Sequence, residues 1–264
     1  MPEGDTIWRT ARTLRAALTG RTVSAFESAL PDVAARGRAL RLVGRTVEGV
    51  ESRGKHLLLH FSGGAILHTH MRMTGSWHVY RPTSRWRGPA HLARAVVRTE
   101  AYVAVCFAAP VVELLTPVEL RTHAVLQALG PDLLSPDFDA ARAREGLRTK
   151  DDAEIGDALL DQTAMAGIGN VYKSEVLFLC GIDPFRLVRD LEDGVLARVV
   201  ATAGVQMRRN LGAGERRTTS GLTPEPLWVY ERGGRPCRRC GTTIERRAQG
   251  SMARSTWWCP RCQT

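Results

Sequence analysis

At 264 residues, with 44% apolar and 24% charged side chains, the chain has the composition of a soluble globular protein with room for two modest domains or one large one. No apolar run approaches the ~20 residues of a membrane span, and Glu3 and Asp5 oppose a leader peptide. The net charge of +10 is uneven: residues 205–264 hold twelve arginines and four glutamates, so 12 − 4 places +8 in the last quarter. That is the electrostatic footprint of a nucleic-acid partner, although 34 arginines against three lysines (Lys55, Lys150, Lys173) mark an arginine bias along the whole chain.

The chain opens Met1-Pro2-Glu3-Gly4-Asp5. Removal of Met1, which a small second residue permits, leaves Pro2 as a free secondary amine. An α-amino group titrates near ~7.7–8.0, so a useful fraction is unprotonated at neutral pH. Such an amine can add to a sugar carbon and form an iminium, as Schiff-base lysines do. Glu3 beside it is a candidate proton shuttle; an acidic residue in a first helical turn also needs no other role. Asp5 is the expected cap of a helix with Ile7, Ala11, Leu14 and Leu18 on one face, ending at Gly20.

Short strands are expected at residues 22–26, 40–43, 46–50, 57–61, 65–68, 76–80, 95–98 and 102–107, with Gly and Pro between them, a sandwich or barrel pattern. Lys55, in Ser52-Arg53-Gly54-Lys55-His56, is a lysine kept amid arginines, which suits a compact or titrating charge; a solvated strand end is an equal reading. Residues 130–132, Gly-Pro-Asp, are expected as a linker. Helical periodicity runs over 138–211, with Leu187, Leu191, Val195, Leu196, Val199 and Val200 as one stripe. Within it, Gly167-Ile168-Gly169-Asn170 predicts a turn with Asn170 capping the next helix, where open amides and the helix dipole can hold a phosphate. A glycine turn between packed helices is the commoner meaning of such a segment alone. Residues 212–226 read as a mobile loop.

Cys237-x2-Cys240, eighteen residues, then Cys259-x2-Cys262 is the spacing of a closed four-thiolate structural zinc site. Cys106 and Cys180 are expected in the core. Arg254 leads into Cys259 on the metal-pinned hairpin, and Trp257 and Trp258 are expected to pack the small ribbon core. The fold class is therefore α+β and multidomain. A sandwich or barrel with a leading helix is expected over 1–120, a linker over 121–135, a helical domain over 136–226, and a zinc ribbon over 227–264.

On the Met1-Pro2-Glu3-Gly4 start, Arg53-Gly54-Lys55, Gly167-Ile168-Gly169-Asn170 and the ribbon with Arg254, the chain resembles the formamidopyrimidine-DNA glycosylase / endonuclease VIII family over almost its full length. The resemblance implies a β-sandwich, a helix-two-turn-helix domain and a zinc finger carrying one Zn2+ on Cys237, Cys240, Cys259 and Cys262. It implies a bifunctional DNA glycosylase/AP lyase acting on double-stranded DNA with oxidised bases or abasic sites. Pro2 would be the nucleophile at C1′ and Glu3 the proton donor at the sugar ring. Lys55 would serve phosphate contact and β-elimination, and Arg254 δ-elimination. Asn170 would touch the DNA backbone, and Arg72 and Met73 would fill the gap left by the extruded nucleotide. Gly4, where purine-directed members carry leucine, and Glu113-Leu114-Leu115-Thr116-Pro117, where they carry an Arg-Arg-Phe wedge, point to the endonuclease VIII branch and oxidised pyrimidines. Thr6 departs from a family glutamate, and Met73 matches the purine branch. The expected protein is a monomer of the bacterial cytoplasm, associated with the nucleoid and not with membrane. An 8-oxoguanine-directed enzyme is one rival; a non-catalytic zinc-ribbon DNA binder is another, and it leaves Pro2-Glu3 unexplained.

Overall fold

The structure, a computed structural model, describes residues 2–220 and 224–264. The chain divides into two compact units. One holds Pro2 and Thr6–Gln127; the other holds Glu3–Asp5 and Ala128–Thr264. Among the described residues no helix is long and apolar enough to cross a membrane.

From Thr6 onward the first unit holds α1 (Gly4–Leu18), whose Ile7, Ala11, Leu14 and Leu18 are all buried, as their spacing requires. Next come β1 (Ala25–Glu27), α2 (Pro31–Ala39), β2 (Val47–Arg53), β3 (His56–Phe61), β4 (Ile66–His70), β5 (Ser76–Tyr80), β6 (Ala93–Arg98), β7 (Val103–Phe107) and β8 (Val111–Leu115). They form two antiparallel sheets, ordered β1-β6-β7-β5 and β2-β3-β4-β8. Leu57, Leu59, Phe61 and Leu67 of one sheet share a core with Ala95, Val97, Ala104 and Cys106 of the other and with the stripe of α1. Alternation turns His56, Leu58 and His60 to the opposite face of β3.

One expectation fails in this unit. Residues 40–43 are not a strand: Pro31 at the first helical position starts α2, and 40–43 are its end and the following turn, with Arg41 at φ +50°. Residues 113–115 belong to β8, paired with β4, and Leu114 and Leu115 are buried, so this stretch is sheet. The expected linker is also structured. Thr116 and Glu119 form a reciprocal capping box at α3 (Pro117–Thr122), and α4 (Ala124–Gln127) follows.

Residues 130–133 are a close-packed turn of the second unit. The Gly130 amide donates to Gln162 (2.9 Å) and the Ala166 amide to Pro131 (3.0 Å). A Cβ on Gly130 would stand 2.5 Å from the Thr163 carbonyl, which explains the glycine. Here α5 (Ala140–Arg148), capped by Asp139, α6 (Ile155–Ala158), α7 (Asn170–Cys180) and α8 (Asp193–Arg209) surround one apolar core. The stripe expected from Leu187 onward is interrupted: Val188–Asp190 is a 3-10 turn, and only the part from Val195 lies on α8. The hairpin of β9 (Glu245–Gln249) and β10 (Arg254–Trp258) closes the chain. Trp257 joins Val229, Ile244, Cys237 and Cys259 in the small ribbon core, and Trp258 meets Phe185 edge-on at 4.8 Å between centroids.

Residues 212–220 and 224–226 have no regular structure, but they are not loose. Arg216 is bonded to Asp5, and Thr218 donates to Glu175. Residues 221–223, within the loop expected to be mobile, lie outside the described residues.

Candidate active site

Glu3 is completely buried in the second unit. Its carboxylate accepts from the amides of Gly169 (2.8 Å), Val171 (2.8 Å) and Tyr172 (3.3 Å), the first turn of α7. Orphan amides and the dipole at a helix start favour an anion, and here that anion is the protein's own carboxylate. Two sequence expectations are thereby corrected. The amides after the Gly-Ile-Gly turn do not stand open for a phosphate, and Asn170 is not the cap. Gly169 holds the cap position and Asn170 is the first residue inside α7. Its side-chain amide donates to the Ser255 carbonyl (2.7 Å), while its Oδ1 is buried with no partner among the described residues.

The glycines are explained by this anchorage. A Cβ on Gly169 would sit 2.5 Å from the Glu3 carboxyl carbon, and Gly167 has φ +113°, which L-residues avoid. Gly4 donates its amide to the Gly167 carbonyl (2.9 Å), and a Cβ there would meet the Met207 methyl at 2.5 Å. A larger residue there requires the Met207 methyl to move. Pro2, one peptide bond before Glu3, is half-buried.

Sequence reasoning missed the pair that flanks this anchor. Asp5, fully buried, receives two bonds from the Arg216 guanidinium (2.9 and 2.6 Å). Arg216 also lies over the Tyr172 ring, 5.0 Å from its centroid. Burial pushes the Tyr172 hydroxyl well above its ordinary pKa, with the Asp5 charge adding to the effect. A buried guanidinium-carboxylate fork of this kind is charge-assisted at both ends. Deeper along α7, the buried Glu175 carboxylate accepts from the Trp228, Val229 and Tyr230 amides (2.8, 2.8 and 2.9 Å) and from the Thr218 hydroxyl, so it ties both flanks of the loop.

In the first unit, Lys55 occupies the two-residue turn between β2 and β3, half-buried, after Gly54 at φ +56°. The adjacent His56 begins a histidine cluster with no pattern in the sequence, assembled from three strands and the α3–α4 junction. His56 Nδ1 stands 2.8 Å from His68 Nε2, His68 Nδ1 stands 2.8 Å from Glu113, and His123 Nε2 stands 3.1 Å from the same carboxylate oxygen. Burial pushes His56 down to about 3 and His70 down to about 4, with the Lys55 charge contributing to both. His68, Glu113 and His123 bring three ligand atoms within 4.8 Å of one another. The Leu126 amide, however, donates into His123 Nδ1 (3.3 Å), which puts the ring proton on Nε2, facing Glu113. The cluster is closed by hydrogen bonds without a cation.

Arg72 and Met73 form the exposed tip of the β4–β5 turn; Met73 is 63% accessible, and Arg72 has φ +45°. The turn is braced by Gly75, whose added Cβ would stand 2.8 Å from the Met71 backbone. Arg254 is the first residue of β10, half-buried, directly across from Gln249. The four ribbon cysteines are free thiols whose sulfurs all lie within 4.8 Å, at 4.0 Å for Cys237–Cys262 and 3.5 Å for Cys240–Cys259. A tetrahedron of Zn–S bonds has edges of about 3.8 Å, so the donor set fits one structural zinc ion. The Arg239 amide donating to Cys237 Sγ (3.4 Å) suits a metal-bound thiolate.

Comparison with known proteins agrees with this architecture. The description "Formamidopyrimidine-DNA glycosylase N-terminal domain" matches residues 1–110, "Formamidopyrimidine-DNA glycosylase H2TH domain" matches 129–220, and "Zinc finger found in FPG and IleRS" matches 234–264. The chain is 45% identical to the probable endonuclease 8 2 of Streptomyces coelicolor, over 100% of this chain and 94% of that one. It is 38% identical to the DNA-(apurinic or apyrimidinic site) lyase Nei2 of Mycolicibacterium smegmatis, over 100% and 99%. The crystal structure of Lactococcus lactis formamidopyrimidine-DNA glycosylase, non-covalently bound to DNA with an AP site, superposes with a TM-score of 0.82 at 24% identity, over 99% of each chain. With its sandwich, helical domain and zinc finger matched in order along the chain, this protein belongs to the formamidopyrimidine-DNA glycosylase family, on the side of its endonuclease 8 members.

Proposed function

We propose that this chain is a bifunctional DNA glycosylase/AP lyase of base excision repair that removes oxidised bases, pyrimidines above all, from double-stranded DNA. The observation that carries the reading is the fixed Glu3: its carboxylate is held on the first amides of α7, one peptide bond from the Pro2 nitrogen. The names of the relatives, endonuclease 8 and AP-site lyase, support the same activity.

In this reading the damaged nucleotide is turned out of the stack, and Pro2 nitrogen attacks C1′. The base departs as the C1′–N bond breaks, and an iminium links Pro2 to the opened sugar. The Glu3 carboxylate takes the proton that the Pro2 nitrogen sheds and delivers it to the sugar-ring oxygen as the ring opens. Lys55 contacts phosphate and serves β-elimination, in which the 3′ phosphate leaves; Arg254 serves δ-elimination, in which the 5′ phosphate leaves. A one-nucleotide gap with phosphates at both ends remains. Asn170 contributes to backbone binding, and Arg72 with the exposed Met73 enters the vacated space, an apolar wedge being common in DNA-kinking proteins. The zinc ion holds the hairpin and takes no part in the chemistry. The protein works as a monomer in the bacterial cytoplasm, on nucleoid DNA.

Borohydride trapping tests the reading. The mature protein should form a covalent adduct with an abasic-site duplex, and an added N-terminal residue, which turns the Pro2 nitrogen into an amide, should abolish it. Good binding without any adduct would favour a non-catalytic DNA binder. Met73 favours one other reading, an enzyme directed at 8-oxoguanine. Cleavage of matched duplexes carrying thymine glycol, 5-hydroxyuracil or 8-oxoguanine separates the two.

A further inference from the structure

The residues around Arg254 show how the hairpin is aimed, and most of them have no part in the chemistry above. Residues 254, 256 and 258 share one face of β10. On that face Thr256 is fully buried, and so is Lys173 of α7, one of only three lysines in the chain. The Lys173 ammonium donates to Thr256 Oγ1. Thr256 Oγ1 donates to Gln249 Oε1 (2.7 Å), and Gln249 Nε2 donates to Glu154 (2.9 Å) and to the Pro184 carbonyl (2.8 Å). The chain of bonds runs in one direction, each donor meeting an acceptor.

The backbone is shaped to receive it. A Cβ on Gly156 would lie 2.4 Å from Gln249 Oε1, so the glycine opens the slot that Gln249 fills. One residue before Thr256, the Ser255 carbonyl is held by Asn170. Stepping from Thr256 to Ser255 therefore moves from Lys173 back to Asn170, toward the start of α7. Arg254 is the next residue in that direction and the cross-strand partner of Gln249. Burial, opposed by Asp157 and reinforced by the Arg254 charge, lowers the Lys173 ammonium to about 8. A buried cation is a costly way to glue a hairpin to a helix, since apolar packing does so at least as well. Its directional bonds add something that apolar contacts lack, a fixed register and tilt.

We propose that Lys173, Thr256 and Gln249 are positioning residues that aim Arg254 from the hairpin toward the start of α7, and that they govern the second elimination selectively. The inference rests on the role given to Arg254 under the proposed function. Its test is the ratio of δ- to β-elimination product on an abasic-site duplex, at one turnover, with borohydride trapping measured in parallel. Lys173→Met and Gln249→Leu should lower that ratio about tenfold or more, as misplacement by an ångström does, while trapping and zinc content stay at wild-type levels. Thr256→Ser, which keeps the hydroxyl, should preserve the ratio where Thr256→Val loses it. The Thr256 pair carries the comparison if Lys173→Met fails to fold. An unchanged ratio in folded, zinc-loaded variants overturns the proposal, and so does a loss of trapping in parallel with δ-product, which would mark a purely structural role. A wild-type protein that traps no DNA would instead sink the proposed function. A wild type that traps but whose ratio is unaffected by Arg254→Ala would sink the role of Arg254 and the inference with it.

Discussion

Glu3 and Gly169, 166 residues apart in the chain, are joined by a 2.8 Å bond from amide to carboxylate, and no side chain larger than hydrogen fits at 169. The residue next to Pro2 is thus fixed by a helix start, not by its own neighbours in sequence.

Gly169→Ala should test this directly. The new methyl would stand 2.5 Å from the Glu3 carboxyl carbon, so the carboxylate must leave the α7 amides. Overpacking of this kind costs about 1–3 kcal/mol, and base removal should fall by about a hundredfold, as misplaced reacting groups do. Urea denaturation and single-turnover base release measure the two effects. Base release at the wild-type rate would show that the anchorage is irrelevant to activity.

Arg216→Ala leaves Asp5 buried without its fork. Breaking a buried pair from one side costs about 3–5 kcal/mol, whereas the double variant Asp5→Asn, Arg216→Met should recover much of that loss. Equilibrium unfolding of the two single variants and the double variant gives the coupling. Purely additive losses would mean that the pair contributes no interaction of its own.

The histidine cluster predicts acid sensitivity. His56 is held to about 3 and His70 to about 4 by burial, against an ordinary value of 6.5 for both. As pH falls below 6.5, the unfolded chain takes up protons at His56 and His70 that the folded protein refuses, so stability declines from there down through the folded values. Between pH 6.5 and 5 the ordinary carboxylates remain ionised, which isolates the histidine contribution. Denaturation midpoints across that window should drop in wild type and much less in His56→Gln, His70→Asn; equal slopes would refute the assignment.

Zinc removal should unfold the ribbon, because its core is little more than Val229, Ile244, Trp257 and two of the ligand cysteines. One zinc per chain is expected by elemental analysis. After chelation, DNA affinity should fall while the β-sandwich keeps its far-ultraviolet signature. Full affinity in metal-free protein would contradict the structural role.

What could be read in advance were features set by short covalent spacing. The two Cys-x2-Cys pairs mark the ribbon because two residues between thiols already suit one metal. The period of Ile7, Ala11, Leu14 and Leu18 fixes the buried face of α1, and alternation over 57–61 fixes which side of β3 faces the core. Lys55 was legible as an unusual lysine but not as a charge beside His56 and His70, since the cluster of His56, His68, His70 and His123 is gathered from β3, β4 and the α3–α4 junction. Pro31 was an unread signal: proline at a first helical position predicts α2 where a strand was expected at its end.

By itself, then, the sequence determined which groups are on offer: Pro2 beside a carboxylate, four thiols at zinc spacing, and a basic C-terminal quarter. Only the tertiary structure decided their partners. Glu3 rather than a phosphate occupies the α7 amides, Asp5 binds Arg216 instead of capping its own helix, and Lys173 supports the hairpin of Arg254. The reason is physical. A buried charge takes whichever complementary group the folded backbone brings within about 3 Å, and many distant amides and arginines look equivalent until the chain has packed.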